Sequence, residues 1–172
     1  MILLEWELPL NNESLSEYAE RISNKVTHKN PVLIGVSFGG ILVQEMAEFL
    51  EVIKVIIISS VKSNEEFPTV FKVAKTTKAY KLLPTSLVLN IENLVKFSFG
   101  DKVKKRFELY KMFLSVRYKN YLDWAVEKII LWDRTEIVMN VIHIHGDADE
   151  VFQIKKIDKC IVVKGGPHTM IE

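Results

Sequence analysis

The chain has 172 residues, 48% hydrophobic and 26% charged, with a formal net charge of +1. That is the composition of one globular domain able to bury a core, and the near-zero charge excludes a general pull toward nucleic acid or a membrane surface. The single cysteine, Cys160, excludes an internal disulfide framework and suits a reducing compartment, so a cytoplasmic location is expected.

In chain order, Met1 to Leu8 reads as a strand that Pro9 ends. Glu5 and Glu7 interrupt it too early for a signal peptide, and no apolar run reaches membrane-spanning length. Ser14 followed by Glu17 matches the capping-box pattern and predicts a helix carrying Leu15, Tyr18, Ala19, Ile22 and Val26 on one face. His28 to Pro31 closes it. Val32 to Ile34 reads as a buried strand and Gly40 to Leu50 as a helix, with the pentapeptide Gly35-Val36-Ser37-Phe38-Gly39 between them. The β-branched run inside 51–60 predicts a central parallel strand. This alternation argues for an α/β fold with a mostly parallel sheet of about five strands and flanking helices.

Residues 62–135 break that rhythm. Their apolar residues have helical spacing, punctuated by Pro68, Pro84 and Gly100, which predicts several short helices. Such an insertion would sit over the strand ends as a lid or pack on a sheet face. Residues 62–119 hold thirteen Lys/Arg against five Asp/Glu. That bias reads as a solvated surface, and no nucleic-acid footprint is expected from it. Strands are predicted again at 137–146 and 160–164, ending in Asp147-Ala148-Asp149 and Gly165-Gly166-Pro167-His168. Cys160 reads as a structural thiol.

A serine on a sharp strand-to-helix turn has its hydroxyl exposed in a strained backbone, with small residues Gly35 and Gly39 allowing strand and helix to approach. The N–H of Phe38, at the helix N-terminus, is placed to stabilise an oxyanion. Ser37, an aspartate at 147 or 149, and His168 all fall just after predicted parallel strands, at the edge where open α/β sheets hold their sites. Serine is a weak nucleophile that an imidazole can deprotonate, while a carboxylate behind fixes the ring. His143 and His145 alternate onto one face and read as core histidines. No set has zinc spacing, so neither a metal nor a cofactor is expected.

These segments resemble the α/β-hydrolase-fold family: Gly35 to Gly40 its nucleophile elbow, His145-Gly146-Asp147-Ala148-Asp149 its acid loop, and Gly165-Gly166-Pro167-His168 its histidine loop. The resemblance implies Ser37, Asp149 and His168 as catalytic residues, with Asp147 the rival acid. The implied activity is hydrolysis of a carboxylic ester or thioester, with a small ester or acyl substrate and neither a nucleic-acid nor a membrane partner. The alternative is a non-catalytic or fragmentary member with a vestigial triad. The family's strand and glycine loop ahead of the elbow, and its helix after the histidine, have no counterpart in this pattern. An open sheet edge is therefore expected, and with it a possible pairing of two copies.

Overall fold

The computed structural model describes residues 1–82 and 118–170. Helix α1, Leu15–Ser23, starts at the expected capping box: Ser14 Oγ accepts from the Glu17 N–H, and the Glu17 carboxylate accepts from the Ser14 N–H. Strand β1, Val32–Val36, leads into α2, Phe38–Met46, and then β2, Lys54–Ile58. Helices α3, Thr69–Thr77, and α4, Lys119–Leu131, flank residues 83–117. Strands β3, Val141–Gly146, and β4, Ile161–Val163, complete the described sheet.

The four strands lie in the order β1-β2-β3-β4, every neighbouring pair parallel. All their C-terminal ends therefore face one edge. The count is four rather than about five because residues 1–8 form no strand. Their backbone is taken up elsewhere: the Tyr18 hydroxyl accepts from the Glu7 N–H and donates to the Glu7 carbonyl, each at 3.0 Å. Arg21 and Lys25 pair with the Glu7 carboxylate. The segment is thus pinned along α1, and β1 is the sheet edge among the described residues.

Helix α2 packs on β1 and β2, with α1 and α4 against α2. Their shared core holds Tyr18, Ala19, Ile41, Val55 and Ile57, all without solvent exposure. Trp124 of α4 enters this core and its Nε1–H donates to the Glu13 carbonyl at 2.8 Å. Of the insertion expected at 62–135, residues 83–117 lie outside the described residues. The aromatic side chains of α4 pack with the main core, whereas α3 buries no residue fully.

The opposite sheet face carries Val32, Ile34, Ile56, Ile58, Ile142, Ile144, Ile161 and Val163, placed together by the parallel register. Ile34 is 54% exposed and Ile161 58%. Ile56, Ile58, Ile142 and Ile144 are half-buried. Parallel sheets are ordinarily covered on both faces, so an apolar face exposed to this degree among the described residues is prone to self-association. Replacing Ile34 and Ile161 together by lysine is expected to suppress aggregation measured by light scattering, with the far-ultraviolet dichroism of the native fold retained.

Candidate active site

Ser37 sits between β1 and α2 with φ 52° and ψ −118°, outside every region comfortable for a residue with a side chain. Such a conformation costs about 1–3 kcal/mol and persists only where its surroundings over-determine it. Here they do. The Ser37 N–H donates to the Ile58 carbonyl at 2.9 Å, and the Ser37 carbonyl accepts from the Gly40 N–H at 2.9 Å and from Ser60 Oγ at 2.8 Å.

Close approach falls on Gly35 and Gly40. A Cβ at Gly35 would overlap the Gly39 carbonyl, and one at Gly40 would lie 2.5 Å from both Cβ and Oγ of Ser60. At Gly39 a Cβ would meet only a Trp6 ring carbon at 3.7 Å, so Gly39 contributes its backbone and not the absence of its side chain. Phe38 is the first residue of α2, and its N–H lacks an intrahelical acceptor. Its ring stacks on Trp6, 5.4 Å between centroids and 7° from parallel.

The acid and histidine loops are zipped together. A Cβ at Gly146 would overlap the Gly166 carbonyl, so the two backbones touch. The Asp147 N–H donates to the Val163 carbonyl and the Ala148 N–H to the Gly166 carbonyl, at 3.2 and 3.1 Å. Asp147 Oδ1 accepts from the Gly165 N–H at 2.6 Å, which holds Asp147 to the histidine turn and away from the imidazole. Asp149 is the carboxylate that reaches His168: His168 Nδ1 lies 2.8 Å from Asp149 Oδ2, and His168 Nε2 lies 2.9 Å from Ser37 Oγ. Ser37, His168 and Asp149 thus form one relay across the strand ends.

The Asp149 carboxyl group is fully buried. Burial pushes its pKa up, but the hydrogen bond and charge of His168 and the N–H groups of Phe152 and Val151 outweigh it and hold the carboxyl below its ordinary value. Both N–H groups donate to Oδ1, at 2.9 and 2.8 Å. An ionised Asp149 only accepts, so the proton between it and His168 belongs to Nδ1 and leaves Nε2 free to accept from the serine hydroxyl. That polarity lets the imidazole take the hydroxyl proton.

Sequence reasoning missed Ser60, Trp6 and Phe152. Ser60 follows an apolar strand as an ordinary polar residue, and only the folded register brings it under Ser37. Phe152, whose ring meets His168 edge-on at 5.6 Å, joins Phe67 and Phe71 in an aromatic patch beside the imidazole. A groove of about 300 Å³ opens behind Phe67 and Phe71, and a larger one of about 730 Å³ lies along Glu45, Glu48 and Arg134, away from Ser37. His143 and His145 are both buried in the core. Cys160 is partly buried, and that burial raises its pKa. Among the described residues no cluster of His, Cys, Asp and Glu could hold a metal ion.

Two outcomes test this geometry. Gly35→Ala is expected to lose about 3 kcal/mol or more, the top of the overpacking range, while Gly39→Ala stays within about 1 kcal/mol of wild type, both by thermal unfolding. A carboxyl with a depressed pKa stabilises the fold above its unfolded pKa and stops doing so as the pH falls through its folded one. The stability gap between wild type and Asp149→Asn in denaturant melts should therefore be full at neutral pH and close below about pH 4.

No family model matches the sequence, and no curated protein matches it. Solved structures do match. A hydrolase from Pseudomonas aeruginosa PA01 superposes with a TM-score of 0.60 at 15% identity, over 91% of this chain and 65% of its own. Bromoperoxidase from Bacillus anthracis gives 0.56 at 17%, over 90% and 66%. A lipase-esterase related protein from Clostridium acetobutylicum gives 0.51 at 16%, over 91% and 69%. The chain thus spans about two thirds of these neighbours, and at such identities the likeness speaks for architecture alone. Strand order, elbow and superposition together identify the chain as having the α/β-hydrolase fold.

Proposed function

We propose that this chain is a serine hydrolase that cleaves a carboxylic ester or thioester through an acyl-enzyme. The observation that carries the reading is the relay of 2.9 and 2.8 Å from Ser37 Oγ through His168 to Asp149. In the first half-reaction Ser37 Oγ bonds to the substrate carbonyl carbon while its proton passes to His168 Nε2. The carbonyl oxygen becomes an oxyanion that the Phe38 N–H stabilises. Collapse breaks the bond to the leaving alcohol or thiol, which takes the proton from Nε2. Water then repeats the sequence on the acyl-enzyme: its proton goes to Nε2, the acid departs, and Ser37 recovers its hydrogen. Asp149 stays ionised throughout and stabilises the imidazolium.

The aromatic patch of Phe67, Phe71 and Phe152 beside His168 favours an acyl or aromatic group as the part of the substrate held nearest the base. No further reactant than water is required by these steps. A cytoplasmic setting, where Cys160 stays reduced, agrees with the reading.

One observation favours a second reading, in which the fold binds without turning over. Phe38 is the one oxyanion donor identified among the described residues, and loss of a single donor costs about 10²–10³ in turnover. A fluorophosphonate probe separates the two. Labelling of folded protein that Ser37→Ala abolishes supports the hydrolase; a folded protein that never labels supports the binding module. Within the first reading, Asp149→Asn is expected to slow ester hydrolysis about 10⁴-fold, as when a triad imidazole loses its orienting acid. Asp147→Asn should remain within a few-fold, since Asp147 does not touch the imidazole.

A further inference from the structure

Behind Asp149 lie two imidazoles that the relay does not use. His143 and His145 occupy alternate positions of β3 on the covered sheet face, and the side chain of His145 has no solvent exposure. Their rings meet edge-on, 5.0 Å apart and 83° from parallel. His143 Nε2 lies 3.1 Å from His145 Nδ1, and His145 Nε2 lies 2.7 Å from the Phe152 carbonyl oxygen and 3.5 Å from Asp149 Oδ2. Burying two imidazoles where aliphatic side chains would fit is costly unless their hydrogen bonds are made.

Those bonds dictate where the protons sit. A carbonyl oxygen only accepts, so His145 Nε2 carries a hydrogen. A neutral His145 then presents a lone pair at Nδ1, which His143 Nε2–H must fill. His143 Nδ1 is left as a buried lone pair without a hydrogen-bond partner. Burial, with His145 and Lys62 next in effect, pushes the His143 pKa down to about 3, against the pull of the Ser60 backbone and Asp149. Lys62 is itself buried, against Glu66 and the Asp158 and Lys159 carbonyls. No proton is therefore gained by this ring near neutrality.

The consequence falls on the acid loop. The Phe152 N–H donates to Asp149 Oδ1 while its carbonyl accepts from His145. One residue, Phe152, is thus held by its two flanking peptide groups between a strand of the sheet and the carboxylate. Asp149 Oδ2, the oxygen facing His168, is the one that His145 Nε2–H approaches from behind.

We propose that His145, held in a single neutral tautomer by His143, is a positioning residue that aims Asp149 at His168. The catalytic consequence rests on the hydrolase reading; the positioning itself does not. In ¹⁵N-histidine protein at neutral pH, long-range proton–nitrogen correlation is expected to show His143 and His145 as Nε2–H tautomers. It should also show a downfield Nδ1–H proton on His168. His145→Leu should weaken or remove that downfield signal and slow fluorophosphonate labelling of Ser37 about 10- to 100-fold, the cost of a misplacement of order 1 Å. His145→Gln, which keeps a donor for the Phe152 carbonyl, should recover part of both. His143→Phe keeps a ring of similar size and removes only the donor to His145. It should leave the protein folded and shift the His145 nitrogens, and it decides the matter if His145→Leu does not fold.

A folded His145→Leu with wild-type labelling and an unchanged His168 proton would overturn the proposal. So would a wild-type His145 carrying hydrogens on both nitrogens, or a His143→Phe with unaltered His145 resonances. Should wild type fail to label while the downfield signal still depends on His145, the hydrolase reading falls and the positioning stands.

Discussion

The backbone of Ser37 occupies a conformation that residues with side chains avoid, and the chain keeps it there with hydrogen bonds from three directions. Ile58 and Ser60 supply two of them, both from β2 or just beyond it, and α2 supplies the third through the Gly40 N–H. The elbow therefore depends on the parallel pairing of β1 with β2. Parallel pairing in turn brings the ends of β3 and β4 to the same edge, where the acid and the imidazole stand. Strain at one residue, register of four strands and the geometry of the relay form one dependency, running from backbone to chemistry.

That edge is polar, while the covered sheet face beneath it is mostly apolar, with His143 and His145 buried in it. Asp149 is deep enough that burial disfavours its charge, and only the two loop N–H groups and the imidazole make ionisation favourable. A carboxylate satisfied in this way is fixed relative to its loop and to the imidazole, because each oxygen has an assigned donor. The surface around Phe152 adds an apolar wall on one side of the imidazole. Charge and apolar contact are thus segregated within a few ångströms on the two sides of the imidazole.

Much of this was legible in the sequence because glycine spacing is a local signal. Gly35-Val36-Ser37-Phe38-Gly39 between an apolar strand run and a helical run reads as a tight strand-to-helix turn, and the glycines before His168 mark a loop. The choice of Asp149 over Asp147 was open from the residues and rested on resemblance; in the structure Asp147 is engaged with the Gly165 N–H. Other features are tertiary and left no local trace. Residues 1–8 have the apolar content of a strand, but the Tyr18 hydroxyl took both hydrogen-bonding groups of Glu7, and no side-chain pattern announces that. Gly40 looked like helix and Ser60 like the end of a strand stretch, yet a side chain at Gly40 would overlap Ser60.

The contact of Gly146 with Gly166 has a dynamic meaning. Backbones that touch, with three hydrogen bonds between the loops alongside, leave the acid and the imidazole little room to move independently. Ser37 hangs from a separate pair of strands. Thermal fluctuation in this protein should therefore be taken up between hydroxyl and imidazole, with the imidazole and carboxylate drifting as one body. The gap that breathes is the one between Ser37 Oγ and His168 Nε2.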